Sequence, residues 1–399
     1  MLLVFRIGAN IPIPGIDKNV LSTVFQDNDG LFDIFNLFSG GAFQKFTIFT
    51  LGVSPFITSS IIVQLLTMGF EKFRAISEEI DGKKRLERIS LFIGLGIAIA
   101  EAIGVTFGIF RRAIMDNSML SVIAIITTLT AGALFLHFIG DQITVRGLGN
   151  GISMLILAGI IARIPTDIAE MIVKARNGVS GLSWVIGVMF IVILLLVLTV
   201  YVQGGEKRIS TLYAKKVIGR KSYGGNRSYI PLKVNQAGVI PVIFALAVIG
   251  LPATVSMFIP NSSYANLVRK WFSSYEVPGI FIYALASIVL ITIFTFIYTR
   301  VTFDPIKISD DLRKNGGVLP GIRQGKATSL KLEEHSSKMM KLGALFLSII
   351  SVIPMFLGYI SGIDIAIGGT SMIILVGAIM EVINQIDLHL ILKNRKGIL

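Results

Sequence analysis

An apolar run of about 20 residues recurs nine times along this chain, and about 20 residues of α-helix is the length that crosses a hydrocarbon layer of about 30 Å. The runs lie roughly at 53–70, 90–110, 119–140, 150–164, 183–203, 237–259, 279–299, 342–360 and 366–386. A shorter one, MLLVFRIGANIPIP at 1–14, brings the expected count to ten spans with the first cut short. Backbone amides must find their partners within the segment when no water is near, so such runs fold as helices. The sequence therefore predicts an all-α, polytopic membrane protein. Composition agrees, since 53% hydrophobic against 15% charged residues, with a mean hydropathy of +0.77, lies outside the range of a water-soluble domain. No small-residue cleavage site follows residues 1–14, so no cleavable signal peptide is read there.

Lysine and arginine resist translocation, and their placement orients the chain. Of the 37, 27 fall in the segments 71–88, 141–149, 203–235, 300–341 and 393–396, whereas the alternate loops hold nine. The basic side is expected to be cytoplasmic, with both termini on it. Two of these loops are long. The first holds EKRISTLYAKKVIGRKSYGGNRSYIPLKVN and the second DPIKISDDLRKNGGVLPGIRQGKATSLK, in which Gly316-Gly317, Pro320-Gly321 and Gly325 mark turns. Length, turns and exposed arginines predict a docking surface for an acidic partner or for RNA phosphates.

Reactive constellations are missing from the sequence. The chain has 0 cysteines, and its 3 histidines, His137, His335 and His389, are far apart, so neither a thiol nucleophile nor a metal site is expected. RGLGNGIS at 146–153 follows an apolar run rather than a strand, which excludes a dinucleotide loop. GIRQGKATS at 321–329 lacks the first glycine of a phosphate loop, because Pro320 occupies that position. Asp141 and Asp364 sit at span ends, so the paired buried aspartates of an intramembrane protease are not read either. The chain is thus expected to be no enzyme and to bind no cofactor. One carboxylate does lie well inside a run, Glu101, at a cost of about 2.5 to 3.5 kcal/mol for a charged group near a helix centre. Glu381 lies nearer an end. Coupled ion transport normally needs a chain of such groups, so a secondary transporter of a small solute is carried only as the alternative.

The most informative stretch is FSGGAFQKFTIFTLGVSPFI at 38–57, an apolar segment broken by a glycine pair, a lysine, another glycine and Ser-Pro. Irregular backbone at membrane depth is tolerated only where protein or a watery cavity satisfies it. A short re-entrant helix followed by a span starting near Val53 is predicted, with Pro55 early in that helix, where a missing N–H costs least. Similar breaks recur at RGLGNGISMLI, at NQAGVIPVIFALAVIGLPATV and at AIGGTSMIIL, each just before branched aliphatic residues. Broken helices around a cavity with almost no charge point to a pore closed by an apolar constriction that gates by dewetting. For any single break, close helix packing through small residues is the competing explanation.

These residues carry a resemblance. FRIGANIPIPGID at 5–17, LFSGGAFQKFTIFTLGVSPFITSSIIVQLL at 37–66, GDQITVRGLGNGISMLI at 140–156, PLKVNQAGVIPVIFA at 231–245, LPGIRQGKAT at 319–328 and IGGTSMIILV at 367–376 resemble, in order, the SecY family, the central subunits of the bacterial protein-conducting channel. The resemblance implies two inverted five-helix halves, residues 1–170 and 171–399, hinged near an outer loop at 164–182 and opening sideways toward lipid. It places a plug at about 37–50, including Phe38, Ser39, Gly40, Gly41, Ala42 and Phe43. It places a pore ring on Val53, Ile57, Ile152, Ile156, Ile243 and Ile374, and a lateral gate between the spans at 53–70 and 237–259 with Gln64 and Asn235 near its cytoplasmic end. Arg220, Lys221 and Arg323 match the family's basic docking residues for the SecA ATPase or a translating ribosome. The implied partners are SecE, SecG, SecA, the ribosome, preproteins bearing signal peptides, and membrane lipid, with no DNA. The implied setting is the bacterial plasma membrane.

Overall fold

The computed structural model describes residues 1–17, 20–21, 33–79, 81–116, 118–176, 182–213, 216–218, 221–223, 227–259, 262–272, 277–361 and 368–396. The chain opens with a short helix, α1 (Leu2–Gly8), and a second, α2 (Asp33–Phe38). Helix α3 (Ser54–Gly69) follows, with Pro55 in its first turn, and then the amphipathic α4 (Glu71–Glu78), α5 (Gly82–Gly104), α6 (Met119–Arg146) and α7 (Gly151–Arg176). The later part contains α8 (Leu182–Gly204), α9 (Ile240–Phe258), α10 (Ser263–Phe272), α11 (Gly279–Thr302), α12 (Pro305–Lys314), α13 (Lys326–Ser361) and α14 (Gly369–Lys396). Among the described residues eight helices are long and apolar enough to cross a membrane, and α3 is a shorter apolar one.

Packing explains which faces of these helices tolerate lipid. Helix α8 buries Val185, Val188, Val192 and Leu195, one stripe at helical spacing, while Ile186, Phe190, Ile193 and Val197 are exposed. Helix α9 is the opposite case, buried over most of its length, with α3, α5, α11 and α14 packed around it. It is the central helix of the bundle.

Three expectations need correction. The all-α reading fails in the first long loop, where β1 (Glu206–Tyr213) pairs antiparallel with β4 (Arg227–Lys233), Glu206 opposite Lys233 and Leu212 opposite Arg227. A short hairpin, β2 (Lys216–Ile218) with β3 (Lys221–Tyr223), lies between them in sequence, and β5 (Gly317–Val318) from the second loop adds to the other edge of β1. Branched and aromatic residues in ISTLY and RSYI favour strands once the chain has left lipid. The protein is mostly helical, with a small sheet tying its two long loops together. Second, the outer loop expected at 164–182 is helix as far as Arg176. Pro165 lies inside α7 without ending it, since the lost hydrogen bond is one that membrane helices tolerate and TDIAEMIVKAR continues with good helix formers. The boundary expected at 170/171 thus falls within α7. Third, the span expected at 342–360 is the end of a 36-residue helix, α13. Its polar first half is braced by Glu334, which pairs with Lys331 at 2.8 Å and Lys338 at 2.7 Å.

Candidate functional site

The stretch at 38–57 begins on α2, which stops at Phe38 because Gly40 and Gly41 both take left-handed backbone conformations, φ +63° and +86°. Of the six residues assigned to the plug, only Phe38 is helical. Ser39, Gly40, Gly41, Ala42 and Phe43 form consecutive turns instead of the expected re-entrant helix. These turns satisfy themselves locally. The Phe43 N–H donates to Ser39 Oγ at 3.0 Å, the Gly41 N–H to Asn36 O at 3.0 Å and the Thr47 N–H to Ala42 O at 3.3 Å. The ends are tied down as well, because Lys45 Nζ donates to Asn10 Oδ1 at 2.8 Å and Pro12 bridges to Thr47.

Gly40 sets how deeply the segment seats. A Cβ on it would lie 2.7 Å from the Cα of Gly159 on α7 and 3.0 Å from the Phe5 ring, so the two glycines allow backbone to meet backbone. The segment is thereby wedged against α7 and α9, with Phe38, Ala42 and Phe43 buried.

Beside this wedge lie the residues assigned to the ring. Val53 caps the start of α3 and Ile57 follows one turn later; Ile152 and Ile156 stand in the first turns of α7, Ile243 in the first turn of α9 and Ile374 early in α14. Five of the six are at most 5% exposed and belong to one continuous apolar cluster, against which the half-buried Ile152 packs. Phe38 and Ala42 belong to that cluster too. Four helices drawn from across the sequence therefore contribute aliphatic side chains to one buried apolar cluster, a centre with no hydrogen-bonding group among the six. Such a centre can do no acid, base or nucleophilic chemistry. It can exclude water.

Sequence reasoning missed the aromatic contribution to this centre. Phe5 and Phe49 stack with ring centroids 6.2 Å apart and join the same cluster, and a Cβ on Gly8 would run into the Phe49 ring. The signal was available in FRIGAN, where an aromatic residue precedes a glycine by one helical turn.

At the expected gate, α3 packs directly on α9. Gln64 Nε2 donates weakly to Ser60 Oγ at 3.4 Å, whereas Asn235 turns back on its own loop and donates to Gly238 O at 2.9 Å. Among the described residues no hydrogen bond joins Gln64 to Asn235. The Asn235 Oδ1 is buried with no partner among the described residues, and the backbone around it packs on Gly343 of α13. The two gate residues are thus separate features. Glu101, on α5, is buried, and its Oε2 likewise has no partner among the described residues. A π-helical turn, Val105–Ile109, follows it directly.

Of the docking residues, Arg220 lies outside the described residues and Lys221 is in β3. Arg323 sits at the tip of a turn held from three directions. Gln324 Nε2 donates to Gly317 O at 3.1 Å, Ser309 Oγ to Gly325 O at 2.9 Å, and Thr328 Oγ1 to Arg323 O at 2.9 Å. The backbone is fixed while the guanidinium remains exposed.

The family model described as SecY matches residues 47–383. The chain belongs to the SecY family. The protein translocase subunit SecY of Escherichia coli K12 is 36% identical over 393 residues, covering 97% of this chain and 88% of that one. The corresponding subunit of Pseudomonas aeruginosa is 34% identical, covering 98% and 89%. Among solved structures, one described as a protein conducting channel superposes with a TM-score of 0.69 at 18% identity, covering 96% of this chain and 89% of that one. Sec61 in the canine ribosome-channel complex superposes at 0.64, also at 18% identity, with the same coverage. SecY is a family of multi-pass membrane channels, not of enzymes.

Proposed function

We infer that this chain is the central subunit of a protein-conducting channel, which passes unfolded secretory polypeptides across the bacterial plasma membrane and releases apolar segments sideways into lipid. The observation that carries this reading is that Val53, Ile57, Ile156, Ile243 and Ile374 share one buried apolar cluster with Phe38 and Ala42 of the wedge, with Ile152 packed against it. An aliphatic ring offers no fixed donor or acceptor. It therefore seals against water and ions, yet closes around an extended chain without selecting its sequence. In this proposal the six residues are the pore ring and Phe38, Ser39, Gly40, Gly41, Ala42 and Phe43 the plug. We propose ten spans, with α1 as the first, in halves at 1–170 and 171–399 and with both termini cytoplasmic; the excess of lysine and arginine in alternate loops supports that orientation.

Lateral release needs α3 and α9 to part. A segment in the opened seam partitions by its own transfer energy, about −0.3 to −0.6 kcal/mol for each Leu, Ile, Phe or Val and about +2.5 to +3.5 for each central Asp, Lys or Arg. Gln64 is polar at the cytoplasmic end of this seam, so Gln64→Leu is expected to change the threshold for opening. Export of a weak signal sequence should then shift relative to a strong one, and identical export of both would remove Gln64 from the gate.

Because the sequence carries no nucleotide site, the driving force comes from a partner. We assign Arg220, Lys221 and Arg323 to its docking surface, with SecA or the ribosome as the partner and SecE and SecG as small membrane subunits. The sheet that ties the two long loops together and the pinned turn beneath Arg323 support this assignment. Arg323→Glu reverses one exposed charge without touching a packed contact. It is expected to abolish SecA-driven transport while leaving thermal unfolding unchanged; transport at the wild-type rate would withdraw Arg323 from the docking surface.

A further inference from the structure

Helix α10, between α9 and α11, takes no part in the functions argued so far. It has three distinct faces. Ala265 and Val268 are buried, Val268 in the same cluster as Ala253 and Met257 of α9, and Phe272 packs against it. Tyr264, Leu267 and Trp271, also at helical spacing, form an adjoining stripe of exposed apolar side chains. Asn266, Arg269 and Lys270 occupy the remaining surface, and SYANLVRKWF contains no acidic residue.

Apolar surface exposed beside a buried face needs an occupant, and its surroundings identify one. Helix α10 packs against both α9 and α11, which carry exposed apolar side chains of their own, Leu251, Val255 and Phe258 on α9 and Phe281 and Leu285 on α11. The helix leaves the bundle at the outer end of α9, on the side opposite the basic loops. The chain has 2 tryptophans, and the other, Trp184, is exposed in the first turn of α8, at the same side. Tryptophan and tyrosine collect at the headgroup level, where the ring is buried and the polar atom stays wet. Lys270 Nζ lies 5.9 Å from the centroid of the Trp271 ring, so a cation stands at the same depth as the indole.

We propose that α10 is an interfacial helix that seats Tyr264, Leu267 and Trp271 among the lipids of the leaflet opposite the basic loops, with Arg269 and Lys270 drawing anionic phospholipid headgroups to the outer end of the gate helix. Its attachment to that helix is direct. Tyr264 Oη donates to Pro252 O within α9 at 3.3 Å, and Val268 packs on the same helix. Lipid composition is thereby coupled to the position of α9.

Trp184→Phe leaves Trp271 as the sole fluorophore, and the full chain can be reconstituted into vesicles of phosphatidylcholine alone or with equal phosphatidylglycerol. Nitroxide on the lipid headgroup or at mid-chain, and aqueous iodide, are then compared as quenchers. Headgroup-level nitroxide should quench most strongly and iodide least. With the label on phosphatidylglycerol, quenching should exceed that with labelled phosphatidylcholine, and changing both Arg269 and Lys270 to serine should lower the preference by about fivefold for each charge removed. Dominant iodide quenching would overturn the proposal by showing the stripe in water. Protection from every quencher would overturn it by showing a protein cover, and equal quenching by the two labelled lipids would overturn the anionic preference. The reverse variant, Trp271→Phe, reads the depth of Trp184 as the reference, and none of these readouts depends on polypeptide transport.

Discussion

Replacing both Ile156 and Ile374 with serine is expected to make the resting channel conduct ions. Both side chains are buried in the common cluster and come from different halves of the sequence. A buried hydroxyl without a partner costs about 1–3 kcal/mol, and entering water supplies the partner, so each serine favours the wetted state by roughly 5- to 150-fold. In the proposed ring the two serines line one pore and act together, because one water chain serves both. The measurement is conductance across a planar bilayer, with Ile374→Val as the control that changes volume but not polarity. A serine pair that stays as tight as wild type while folding normally would show that water exclusion resides outside this cluster.

Gly40→Ala is the second large effect expected, and it acts on the plug. Left-handed backbone costs a residue with a side chain about 1–2 kcal/mol, and forcing a methyl group into closed packing costs about 1–3 kcal/mol more. At Gly40 both penalties apply, since the methyl would meet the Gly159 backbone. Gly15→Ala is the matched control: its φ is +84°, but nothing lies within 4 Å of the added Cβ. The two variants should differ by the packing cost alone. Gly40→Ala should unfold at lower temperature and leak in the resting state, whereas Gly15→Ala should lose some stability and remain sealed. Equal behaviour of the two would mean that the segment is not held by this glycine contact.

Much of the molecule was legible in its sequence because lipid imposes a simple rule. A buried backbone in hydrocarbon must be helical, so runs of apolar residues report helices directly, and the starts of α3 and α9 are marked further by Pro55 and Pro241. Where the chain leaves lipid that rule lapses. The strand β5 is two residues long, and its pairing with Leu212 and Tyr213 joins segments about a hundred positions apart, so no local pattern could announce it. The amphipathic extension of α13 was readable from the spacing of Lys331, Glu334 and Lys338, but a search for apolar runs passes over a polar helix. The wedge at 39–43 was recognisable as broken, yet its shape depends on Gly159, far along the chain.

Glu101 marks the limit from the other side. Its residue type and its place inside an apolar run were plain, and the structure confirms that it is buried on α5. Neither the sequence nor its packing gives it a task in the proposed channel. The proposed ring presents a contrast: branched aliphatics after breaks occur wherever helices pack, and the cluster that holds these six holds many other buried isoleucines and valines as well, so no local pattern singles them out.

The chain's lack of cysteine makes the central claim directly accessible. A single Ile243→Cys variant is reconstituted with the small subunits and SecA, a secretory protein with its own cysteine is stalled partway, and disulfide formation between the two is assayed with and without ATP. An ATP-dependent crosslink is expected from position 243 and none from a cysteine at Phe190, on the exposed side of α8. Absence of a crosslink at all six ring positions while transport proceeds would place the polypeptide path elsewhere and contradict the ring.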